Sequence, residues 1–169
     1  MKIDIHNVRS VVMLCMGNIC RSPTAEVVLK HKLVQAGLAD RVQVSSAGTH
    51  SYHVGGLADA RSARHAARRG YDLSPHRAQQ LVSRHFEQAD LILAMDHDNL
   101  ALALERCPPQ HRHKLCLLMS LVEGEGARAV PDPYHGGDAG FEEVLDMAEA
   151  ACDALIRGWQ RKAQPGSAA

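Results

Sequence analysis

An apolar run, a tight loop and a helix follow one another between Val8 and Glu26, and few folds accommodate the loop. Val8, Val11, Val12, Met13 and Leu14 read as a buried strand. The chain then turns from Cys15 to Arg21, with Gly17 and Asn18 inside as residue types that tolerate positive φ. Ser22 reads as the N-cap of the next helix and Pro23 as its first residue, where a missing N–H costs nothing. A backbone curled in this way aims successive N–H groups inward at a helix N-terminus. Both features attract an anion.

The side chains give that anion site a chemistry. A thiol at Cys15, surrounded by backbone amides and a helix dipole, is favoured as thiolate. Arg21 presents a planar fork that takes two oxygens of a tetrahedral oxyanion at once. Ser22 is placed to donate to the sulfur, while Met16, Gly17, Asn18, Ile19 and Cys20 complete the phosphate-binding loop. Nucleophile, cradle and clamp on one loop suggest phosphoryl transfer through a phosphocysteine. The bare Cys-x5-Arg spacing recurs by chance in a chain with five cysteines, so the discrimination comes from context: apolar strand before, Gly-Asn inside, Ser-Pro after.

Along the rest of the chain strands and helices alternate, which predicts an α/β fold with a mostly parallel sheet. Residues 24–36 have helical periodicity ending at Gly37, and 41–46 read as the second strand. A polar helix over 57–69 closes at Gly70, and Ser74-Pro75 opens a shorter helical piece. The third strand, 89–95, is almost wholly apolar and therefore central. A helix over 99–105, a fourth strand over 114–119 and a long loop over 122–134 follow. The last helix spans 141–159, and residues 162–169 are expected to fray. With no repeat or linker, the chain reads as one domain over 1–169 with an ordered core of about 8–160. In such sheets ligands sit beyond the carboxyl ends of the strands. That rim collects Cys15, Ser46 and Asp96.

Composition excludes several classes. Nineteen basic and nineteen acidic residues balance, so no nucleic-acid partner is implied. No apolar run is long enough to cross a membrane, and the start Met-Lys-Ile-Asp-Ile-His has no signal character. The odd number of cysteines at irregular spacings argues against a disulfide framework, and the expected location is the reducing cytoplasm. Cys107, His111, His113 and Cys116 cluster in sequence but match no common zinc spacing, so neither a metal nor another cofactor is expected. Arg61, Arg64, Arg68 and Arg69 read as a solvated helix face, or as a surface for acidic residues around a substrate.

CMGNICRSPTAE, together with Asp132-Pro133-Tyr134 downstream, strongly resembles the low-molecular-weight protein tyrosine phosphatases, and the resemblance covers about residues 8–159. It implies a four-stranded parallel sheet with helices on both faces in flavodoxin-like winding, and hydrolysis of aryl phosphates, chiefly protein phosphotyrosine. On the residues alone, Pro131-Asp132-Pro133 reads most simply as a turn. The resemblance makes Asp132 the general acid beside Cys15 and Arg21. It also implies that Tyr52 and Tyr134 wall a substrate slot. His135 stands where many members carry a second tyrosine, which bears on ring selectivity. Ser46 and His76 match the family's support for a left-handed Asn18. Asp96 is read either as orienting Arg21 or as capping the helix after it. Cys20 matches a redox partner for an oxidised Cys15.

The expected partner is a phosphotyrosine-bearing protein, a tyrosine kinase being one such protein, and the expected state is a monomer without membrane insertion. Two rival activities share the loop. An arsenate reductase on the same fold needs two relay cysteines, for which Cys107 and Cys116 are the available pair. A phosphoarginine phosphatase is the other.

Overall fold

A computed structural model describes residues 3–161 of the 169. The expected fraying of 162–169 falls outside the described residues. Strand β1 (Ser10–Cys15) runs into helix α1 (Arg21–Gln35), then β2 (Gln43–Gly48), α2 (Ala60–Arg68), α3 (Ser83–Gln88), β3 (Leu91–Ala94), α4 (His97–Arg106), β4 (Leu115–Leu117) and α5 (Asp138–Gln160). The four strands form one parallel sheet in the order β2-β1-β3-β4. This is the flavodoxin-like winding, with β1 and β3 central.

The continuous apolar character of β1 follows from its position. Val11, Met13 and Cys15 enter one core layer, where Val28, Leu29 and Leu33 of α1 meet Leu145, Leu155 and Trp159 of α5. Val12 and Leu14 enter the opposite layer with Leu81, Phe86, Ile92 and Ala103. A strand covered on both faces has no solvent side on which to carry polar residues. Helix α1 ends where Gly37 takes φ 71°; Leu38 N–H then reaches back to Leu33 O at 2.8 Å and Gly37 N–H to Val34 O at 3.1 Å. A β-branched or bulky residue at Gly37 would strain that left-handed cap. At the other end of the chain, Trp159 is buried and donates its indole N–H to Val8 O at 2.9 Å, which closes α5 against the entrance to β1.

Several local expectations shift. The helix placed at Ser74-Pro75 does not form; that segment turns and then runs extended, and the short helix lies instead at Ser83–Gln88. Pro75 suited a helix start, but the segment hydrogen-bonds across to the loop after β1, through His76 Nε2 to Asn18 O and Gln79 N–H to Asn18 Oδ1. The helix expected from residue 57 begins at Ala60, because Asp59 caps it by accepting the N–H groups of Arg61 (2.8 Å) and Ser62 (3.3 Å). Strand β4 is shorter than its apolar run, since Leu118–Leu121 tightens into a 3-10 turn. No helix among the described residues is long and apolar enough to cross a membrane.

Leu155 is fully buried between α5 and the sheet. Leu155→Ala is expected to lower unfolding stability by roughly 2–5 kcal/mol. Urea titration followed by the fluorescence of the single tryptophan one turn away measures it.

Candidate active site

The carboxyl end of β1 delivers Cys15 to the floor of the loop, where it is 3 % exposed. Its sulfur lies 2.9 Å from the Ser22 hydroxyl and accepts the Asn18 backbone N–H at 3.3 Å. Asn18 sits at φ 57°, the only described non-glycine residue with positive φ. The backbone therefore doubles back over the sulfur at the position expected. Helix α1 starts earlier than expected: Cys20 is its N-cap position and Arg21 its first residue, so Ser22 does not cap it and Pro23 is its third residue. The closing turn of the loop draws residues 21 and 22 into the helix, and the Ser22 hydroxyl turns to the sulfur instead of a backbone N–H. Pro23 still costs nothing, because N–H groups in the first turn have no helical partner.

The network behind the sulfur has a fixed direction. Asn18 Oδ1 accepts the Gln79 backbone N–H at 2.9 Å, which orients the amide and sends its NH2 to Ser22 Oγ (2.8 Å) and Ser46 Oγ (2.9 Å). Ser46 then donates to Glu26 Oε1, and Glu26 is paired with Lys30 at 2.6 Å. Because Ser22 receives a hydrogen from Asn18, its own hydrogen is free for the sulfur. His76 Nε2 donates to the Asn18 carbonyl at 2.7 Å. Ser46 is not at the strand end as expected but two residues inside β2, opposite Met13.

Arg21 is buried at 3 % exposure. Its Nη1 bonds Asp96 Oδ2 at 2.5 Å and Val130 O at 3.1 Å, while its Nη2 faces Asp132 Oδ2 at 3.7 Å. Asp96 does both jobs left open by the sequence: one oxygen orients Arg21 and the other caps α4 by accepting Asn99 N–H at 2.8 Å. Asp132 is exposed, and its Oδ1 accepts the Tyr134 N–H at 3.1 Å.

These groups open on one cavity of about 320 Å³ lined by Cys15, Arg21, Asp132, Tyr52, Tyr134 and His135, with Met16, Gly17, Ile19, Cys20 and His53 completing it. Tyr52 and Tyr134 are exposed at the mouth, Tyr52 stacked on His50 and Tyr134 edge-on to His135. Thr49 and His50 N–H groups bond Cys15 O (2.9 Å) and Met16 O (3.0 Å), which stitches the segment bearing Tyr52 to the cradle. A larger groove of about 720 Å³ along the β2 edge is lined by no cysteine and no carboxylate.

Sequence reasoning missed several residues. Gly48 was not singled out, yet a Cβ there would come within 2.6 Å of Met16 O, so only glycine lets β2 pass beneath the loop. Glu26, Gln79 and His53 were also missed; Glu26 had a signal, being one helical turn beyond Ser22 on α1. Burial pushes the Cys20 thiol up to about 12, so it stays protonated at neutral pH. Cys107 ends α4, and Cys116, half-buried on the edge strand β4, pairs with Leu93. The arginine helix is not uniformly solvated. Arg64 and Arg68 face water, whereas Arg61 bonds Asp59 and Tyr134 O, and Arg69 pairs with Glu142, Asp146 and Glu149.

A cysteine and an arginine on an amide-lined loop, at the carboxyl edge of a parallel sheet, define the class of cysteine-dependent phosphatases. Known proteins give the family. The model of the low molecular weight phosphotyrosine protein phosphatases matches residues 10–165. A putative low molecular weight protein-tyrosine-phosphatase of Synechocystis is 45 % identical over 147 residues, covering 86 % of this chain and 93 % of its own. A low molecular weight protein-tyrosine-phosphatase of Streptomyces coelicolor is 44 % identical over 151 residues, covering 86 % and 90 %. The crystal structure of a protein tyrosine phosphatase from Entamoeba histolytica, with Hepes in the active site, superposes with a TM-score of 0.84 at 40 % identity, covering 88 % of this chain and 95 % of that one. The chain belongs to the low-molecular-weight protein tyrosine phosphatase family.

Ser22→Ala removes the hydroxyl 2.9 Å from Cys15. Loss of that contact is expected to slow the reaction of Cys15 with iodoacetate about tenfold, on the order of one hydrogen bond to the sulfur. Mass-spectrometric rates of alkylation at Cys15 measure it.

Proposed function

We propose that this protein hydrolyses phosphate monoesters of phenols, chiefly phosphotyrosine in proteins, through a phosphocysteine. One observation supports the reading above others. A hydrogen-bonded thiol, a buried arginine and an exposed carboxyl group line a single cavity whose mouth carries two tyrosines. In the first step Cys15 Sγ attacks phosphorus, forming the S–P bond as the P–O bond to the phenol breaks. Arg21 and the loop amides hold the equatorial oxygens, whose charge they meet without reorganising. Asp132 gives its proton to the departing phenolate oxygen. In the second step the Asp132 carboxylate takes a proton from water, which attacks phosphorus. The S–P bond breaks, inorganic phosphate leaves and the thiolate returns. The scheme routes no step through a metal or cofactor.

The network Ser22–Asn18–Ser46–Glu26, with His76, keeps the cradle closed in this reading, and Asp96 keeps Arg21 turned toward phosphate. Tyr52 and Tyr134 sandwich the phenyl ring, with His135 beside them. The substrate partner is a phosphotyrosine-bearing protein, and a single chain supplies every group the reaction uses. Five free cysteines, one of them the nucleophile, suit a reducing compartment such as the cytoplasm. Arsenate reduction is not favoured. Its two relay cysteines would have to leave the end of a helix and a hydrogen-bonded edge strand, and Asp132 would have no task.

Cys15→Ser is expected to abolish phosphate release from phenyl phosphate and phosphotyrosine peptides. Asp132→Asn is expected to lower kcat/KM for phenyl phosphate by about 10²–10³-fold, and that for 2,4-dinitrophenyl phosphate far less, because an acidic leaving group needs no proton. Equal losses on the two esters would contradict the role given to Asp132.

A further inference from the structure

We propose that Arg61 is a positioning residue for the general acid: with Asp59 it sets the loop of Asp132 in register with the phosphate cradle. The inference rests on the phosphatase reading above and adds to it a residue that does not line the cavity.

Residues 131–137 have little packing to hold them. Pro133 alone among them is buried, and the segment ends in Gly136-Gly137. Among the described residues, one side-chain hydrogen bond reaches this segment from outside, from Arg61 Nη2 to Tyr134 O at 2.9 Å. Tyr134 is also the residue whose N–H holds the Asp132 carboxylate at 3.1 Å. Arg61 therefore fixes one end of the residue whose other end fixes the acid.

The same guanidinium is anchored to the cradle. Arg61 Nε and Nη2 contact the two oxygens of Asp59 at 3.3 and 3.1 Å, and the Asp59 backbone N–H donates to Ile19 O at 2.9 Å. Ile19 belongs to the phosphate-binding loop. A continuous path thus runs from the amides around the sulfur, through Asp59 and Arg61, to the peptide beside Asp132. The guanidinium also lies over the rings of Phe141 (4.7 Å) and Tyr134 (5.6 Å), which restricts it further. One turn along α2, His65 stacks on Phe141 and faces Asp138 at 3.2 Å, so the start of α5, where the acid loop ends, is seated on the same helix. Lysine is a poorer fit: its ammonium lacks the planar group that lies over the two rings and the paired N–H fork that meets both oxygens of Asp59.

Displacing an acid by about 1 Å costs up to 10²-fold in rate, but only where the acid is needed. In Arg61→Gln, kcat/KM for phenyl phosphate is expected to fall about tenfold and that for 2,4-dinitrophenyl phosphate less than about threefold. Asp59→Asn retains the helix cap and the N–H to Ile19 while removing the ionised partner of Arg61. It should show the same pattern at smaller size, and it serves if Arg61→Gln does not fold. Combined with Asp132→Asn, Arg61→Gln should cause no further loss on phenyl phosphate, because it acts through that residue. Equal losses on the two esters, or additive losses in the double variant, would overturn the proposal alone. Wild-type protein inert toward both esters would overturn the phosphatase reading and this inference with it.

Discussion

The left-handed backbone of Asn18 is the constraint on which the rest of the site depends. At φ 57° a non-glycine residue gives up conformational energy, and it keeps that geometry only when its surroundings over-determine it. Here the surroundings supply a bond to every polar group on the residue except those already aimed at the sulfur. Ser22, Ser46 and the pair His76 and Gln79 come from three separate segments to meet it. Glycine would reach the same φ more cheaply, but it has no amide with which to orient Ser22. The asparagine therefore sets loop shape and hydroxyl direction together.

Charge is arranged with the same economy. Asp96 holds Arg21 from behind and caps α4 with its second oxygen, so the clamp is tied to a helix start in the sheet's opposite layer. Arg21 in turn bonds Val130 O, at the point where the long loop leaves the core. The candidate acid is thus approached from two sides: Arg21 fixes the root of its loop, and Arg61 fixes the peptide just beyond it. Cys15 and Arg21 are buried at the floor of the cavity, whereas Asp132 is exposed at its lip.

Much of the site could be read in advance because it is local. Cys15, Asn18, Arg21 and Ser22 lie within eight residues, and the residue types needed for a curled loop are few. The alternation of apolar strands with periodic helices gave away a parallel α/β sheet for a similar reason, since burial on both faces leaves a continuous apolar run. The failures were of another kind. Ser22 and Pro23 carry a helix-start signal, yet the helix begins at Arg21, because the serine hydroxyl is claimed by the sulfur. Ser74-Pro75 carries the same signal, and tertiary hydrogen bonds to Asn18 override it. Gly48 looked like any loop glycine until the strand it ends was laid beneath Met16.

By itself, then, the order of residues determined the curled loop, the thiol it encloses and the strand that presents them, since each depends on neighbours along the chain and on local backbone sterics. The meeting of Glu26 with Ser46, the double use of Asp96 and the span of Arg61 between Asp59 and Tyr134 were decided only in three dimensions. Those contacts join segments whose approach depends on how the helices pack against the sheet. No periodicity or spacing in one segment reports where another will come to rest against it.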